Sequence, residues 1–116
     1  MNPIEEQRKL IDQLYHLVHK SSQDGFDTAT CRFDYFVAED DGSSSIGTKL
    51  SYIKAGETKY GRLSYPEDEI LYEVIPQLHS AMKAHTGGDW QAFVLTINQD
   101  GSVTTKFEYP EDDSFT

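Results

Sequence analysis

Apolar residues recur at helical spacing near the start of the chain. Ile4, Ile11, Leu14, Tyr15 and Val18 form a stripe that Leu10 and Leu17 widen. Glu5, Glu6, Gln7, Arg8, Asp12 and Gln13 fill the remaining face, so the pattern predicts an amphipathic helix over 2–20. Asn2 suits the N-cap, Pro3 the first helical position, and Glu5 the capping-box acid; Ser21 to Gly25 ends the helix with turn residues. From Thr28 to Ala38 the period falls to two. Cys31, Phe33, Tyr35 and Val37 share one face of a strand, and Arg32, Asp34 and Phe36 share the other.

The polar run from Glu39 to Ser45 leads to a second predicted strand, 46–55, with Leu50, Tyr52 and Ile53 as its apolar content. The tight turn at 55–58 opens a third strand over 59–65. Pro66, followed by Glu67, Asp68 and Glu69, reads as the start of a second helix, since proline and acids both favour a first turn. Its stripe is Ile70, Leu71, Val74, Ile75, Leu78, Ala81 and Met82. Pro76 falls inside it, where a kink is expected, and Gly87-Gly88 stops it. Strands follow at 90–97 and 102–109, joined by an Asn98 to Gly101 hairpin turn. The order helix, three strands, helix, two strands predicts an α+β fold: an antiparallel sheet of about five strands with helices on one face. One domain over 1–116 is expected, with an acidic tail from about residue 110.

Composition narrows the function classes. Twenty Asp and Glu stand against ten Lys and Arg, for a net charge of −10, which repels phosphate backbones and anionic membranes and suits a basic protein partner. The 12% aromatic content argues for a packed core rather than disorder. No apolar run is long enough for a membrane span, and Met1 to Glu6 lacks the start of a secretory signal. A single cysteine, Cys31, forms no internal disulfide, so a cytoplasmic location is expected.

The standard catalytic constellations are weak here. The glycines match no phosphate-binding motif. Cys31 sits on the apolar face of its strand, as a core residue would. His16 and His19 are three apart on the first helix, but two ligands do not make a zinc site; His79 and His85 flank the end of the second helix. Glu39 to Asp41 lacks EF-hand spacing. The residues therefore predict no enzyme, cofactor or metal, and point to recognition through Tyr52, Tyr60, Tyr65 and Phe36 as apolar anchors, with Trp90 in the core. The repeat of Tyr65-Pro66-Glu67-Asp68-Glu69 in Tyr109-Pro110-Glu111-Asp112-Asp113 has two readings: a convergent strand-end turn, or two acidic lips on one rim of the sheet.

Residues 65–112 carry a resemblance to a known family. Tyr65-Pro66 ends a strand, and Ile70, Leu71, Ile75, Leu78 and Met82 stripe a helix. Trp90 begins a strand with Phe93 to Ile97, and Asp100-Gly101 turns into Phe107-Glu108-Tyr109 and acids. In these features the chain resembles the YezG-like immunity proteins, antitoxins of bacterial polymorphic and LXG-type toxins. The resemblance implies a cytosolic protein that binds and neutralises the C-terminal domain of a cognate toxin, often a nuclease. Carboxylates could then stand in for the phosphates of the toxin's substrate. The acids expected on that surface are Asp40, Asp41, Glu67, Asp68, Glu69, Glu111, Asp112 and Asp113, with Tyr60 and Tyr65 beside them. The alternatives are an adaptor for another basic protein, or a small metal-dependent hydrolase using His16 and His19. Oligomeric state is left open by the sheet edges.

Overall fold

A computed structural model describes residues 3–22, 25–38, 40–87 and 89–109. Helix α1 (Pro3–Ser21) precedes β1 (Thr28–Val37), β2 (Ser44–Lys54) and β3 (Glu57–Gly61). A 3-10 turn (Glu67–Ile70) leads into α2 (Leu71–Thr86), and β4 (Ala92–Ile97) and β5 (Val103–Glu108) complete the fold. The sheet is antiparallel throughout, in the order β3-β2-β1-β4-β5, and the fold is α+β. Ten-residue β1 lies at its centre, with β2, the next strand in the chain, on one edge and β4, which returns after α2, on the other.

Register decides which side chains meet the helices. Ala29 stands opposite Tyr52 and Ile97, Cys31 opposite Leu50 and Leu95, and Phe33 opposite Phe93. These residues are buried with Leu10, Leu14, Leu17 and Val18 of α1 and Leu71, Val74, Ile75 and Leu78 of α2. Phe33 stacks on Phe93 at 5.0 Å between ring centres, and Phe93 on Phe107 at the same distance. Among the described residues, no helix packs on the opposite sheet face.

Several boundaries differ from the sequence reading. Asn2 lies outside the described residues, and Ile4 is exposed (57%) rather than part of the stripe, because α1 meets the core only from Leu10 onward. The third strand ends at Gly61, not at residue 65. Leu63 is buried instead, while the Ser64 amide donates to Ser21 Oγ (2.8 Å), which itself donates to the Leu17 carbonyl (2.7 Å). Pro66 follows a cis peptide bond and precedes the 3-10 turn, so α2 begins five residues after it and runs through Pro76. Trp90 precedes β4 rather than opening it. Ala55 (φ 53°) and Gly56 (φ 80°) give the β2–β3 hairpin the left-handed pair its tight turn needs. Gly87, at φ 76°, caps α2 by donating to the Lys83 carbonyl (2.8 Å).

Candidate partner-binding surface

The 3-10 turn is held from both sides. The Asp68 amide donates to the Ser64 carbonyl (2.8 Å), and Lys20, in the last turn of α1, reaches Glu67 Oε2 at 2.7 Å. That hydrogen bond lowers the Glu67 pKa below the usual carboxylate range. Glu69 is exposed and Asp68 partly so. On either side of the acids project Tyr65 (79% exposed) and Tyr72 (77%), two of the most exposed large side chains in the molecule. Sequence reasoning found Tyr65 but missed Tyr72. The signal was its place off the apolar stripe, between Leu71 and Val74 on the wet side of α2.

Asp40 and Asp41 are exposed in the β1–β2 hairpin. Asp40 Oδ1 accepts the Asp41 amide and Asp41 Oδ1 accepts the Ser43 amide, each at 2.9 Å; the Ser43 bond lowers the Asp41 pKa. These acids are not beside the 3-10 turn. Glu67 is bound by Lys20 at the end of α1, whose His19 packs on Phe26 (5.5 Å), just before β1 begins, whereas the hairpin follows the last residue of β1. Ten residues of strand rise about 30 Å. Tyr109 follows Glu108, whose partner Ala92 pairs with Asp34 near the far end of β1. Tyr109 therefore leaves the sheet near the far end of β1, away from Glu67. Glu111, Asp112 and Asp113 lie outside the described residues.

The remaining anchors separate by face. Tyr60 (79% exposed) and Phe36 (64%) lie on the open side of the sheet. Tyr52 is buried (8%), because its register opposite Ala29 turns it toward the helices. The open face also carries a row that charge counting concealed: Lys49, Arg32, Val94 and Lys106 stand side by side across four strands. Arg32 bonds Glu108 (3.0 Å) and Asp34 (3.4 Å). The acidic ends thus flank a face with its own cations.

The histidines do not converge. His16 pairs with Asp12 (3.3 Å), His19 packs between Tyr15 and Phe26, and His79 donates to Asp89 (2.8 Å); the His85 side chain lies outside the described residues. Among the described residues, no group of three His, Cys, Asp or Glu is placed to hold a metal ion. Cys31 is fully buried and its thiol is pushed up to about 12, chiefly by that burial. No described helix is long and apolar enough to cross a membrane.

No family model matches the chain. Over 79 residues, 68% of its length, it is 32% identical to a "Chorionicgonadotropic hormone-like protein" of Stenotrophomonas maltophilia. The match covers 18% of that relative, so the two share a segment of a much longer protein.

Proposed function

We propose that this protein is an immunity protein that binds and neutralises the C-terminal domain of a bacterial toxin, a basic nuclease, in the cytoplasm. The observation that carries this reading is the 3-10 turn, where Tyr65 and Tyr72 project on either side of Glu67, Asp68 and Glu69. Exposed aromatics beside a cluster of carboxylates, with Glu67 held by Lys20, match what a basic protein surface recognises: apolar anchors to desolvate and charges to steer the encounter. The resemblance of residues 65–112 to YezG-like immunity proteins supports the same reading and supplies the class of partner. A nuclease holds phosphates with Lys and Arg, and the carboxylates of the turn occupy those cations in place of substrate.

The test is binding kinetics with the toxin domain encoded beside this chain. The triple variant Glu67→Lys, Asp68→Lys, Glu69→Lys is expected to associate at least about tenfold more slowly at low salt, with the gap closing at high salt. Tyr72→Ala is expected to act on dissociation and to cost about 2 kcal/mol. Association unchanged across the triple variant would contradict a role for this turn.

A further inference from the structure

A cleft of about 260 Å³ opens at the opposite end of the sheet from the 3-10 turn, lined by Tyr35, Phe36, Val37, His79, Asp89 and Trp90. It is smaller than the roughly 300–1,000 Å³ of sites for whole small molecules, and its size suits one long side chain. Phe36 (64%) and Val37 (45%) are exposed beside it, an unusual pair of apolar residues to leave in water at a strand end. Tyr35 and His79, both partly exposed, supply aromatic surface, their rings 5.1 Å apart, and Trp90 is buried against His79 (5.0 Å).

Charge selects the occupant. Asp89 Oδ1 accepts from His79 Nε2 at 2.8 Å, while Oδ2 has only a long 4.0 Å approach from Lys83. Asp40 and Asp41 stand in the hairpin that continues from Val37. An anion would meet these carboxylates, and a purely apolar group would cover Asp89 without pairing it. A cation with an apolar stem and a flat head satisfies every wall: methylenes against Phe36 and Val37, a planar face on the aromatics, donors toward Asp89.

We infer that this cleft receives a single arginine side chain of the basic partner. The inference rests on the proposed function for the partner's identity, and it adds a second contact point remote from the 3-10 turn.

Trp90 is the one tryptophan in the chain, so its indole N–H gives a single signal in a proton–nitrogen spectrum. Titration with N-acetyl-arginine amide is expected to move that signal saturably, and N-acetyl-lysine amide to bind more weakly. Asp89→Asn should weaken arginine binding about tenfold, and Phe36→Ala should weaken it too. Lys83→Ala should strengthen it by removing the competing ammonium, a gain that a merely structural role for Asp89 does not produce. No saturable shift with arginine, or a shift unchanged in both weakening variants, overturns the inference. Toxin binding by the wild-type chain is measured in parallel: a tight complex that Asp89→Asn and Phe36→Ala leave unaltered overturns the arginine cleft alone, whereas no complex overturns the partner itself.

Discussion

Asp34 spreads its carboxylate over Gly47 on the open face of the sheet. A Cβ at position 47 would stand 2.5 Å from Asp34 Oδ1 and 2.6 Å from Oδ2. Gly47→Ala is expected to cost about 1–3 kcal/mol through that overlap, and Asp34→Ala in the same chain should recover part of the loss; urea melts of the single and double variants check it. Cys31 makes the opposite case, a reactive group silenced by packing. With its thiol pushed up to about 12 and no exposed surface, it should resist a thiol reagent at pH 8 and react only on unfolding. Rapid labelling of the folded protein would contradict its placement. Cys31 was legible from strand alternation alone. Tyr52 and Tyr60 were not separable that way, because only the pairing of β2 with β1 and β3 says which face each one takes, and a one-residue slip exchanges them.

Elements with a strong period were read from the sequence nearly to the residue, and those governed by tertiary contacts were not. The centre of α1, and all of β1, follow from spacing. Ile4 belongs to the same period yet is 57% exposed, so Ile4→Ala should change stability by no more than about 0.5 kcal/mol, while Phe33→Ala should cost about 3–5 kcal/mol; chemical denaturation separates the two. The segment from Arg62 to Ile70 misled because proline followed by acids is a sound helix-start signal. Burial of Leu63 and the Ser21–Ser64 bond, neither visible locally, hold the chain in a crossover there instead. The Lys20–Glu67 bond then ties this crossover to α1. Its pH dependence has a definite sign. Glu67 has a folded-state pKa below its ordinary value, so its contribution is complete above that ordinary value and is lost as pH falls through the lowered one. Asp41 and Asp100, lowered by bonds from Ser43 and Ser102, add to the same acid-side loss. Lys20→Met should return the Glu67 carboxyl toward its usual titration, as followed by carboxyl-carbon NMR; an unmoved titration would contradict the bond.

At the scale of the molecule, the net charge of −10 is unevenly spread. Carboxylates gather at the 3-10 turn and in the β1–β2 hairpin, while Lys49, Arg32 and Lys106 cross the open sheet face. Composition gave the sign of the net charge but not this division, since residues distant in the chain become neighbours only through register. A ligand with one basic patch would engage one end; a toxin domain with a long basic channel could reach both. The central claim is neutralisation, and growth rescue tests it most directly. Cells producing a candidate toxin domain encoded beside this chain are scored with no second protein, with the wild-type chain, and with the Glu67→Lys, Asp68→Lys, Glu69→Lys variant at matched soluble levels. Growth restored by the wild type and impaired with the variant is the predicted result. Arrest that persists while the wild-type protein accumulates folded and soluble would contradict the account.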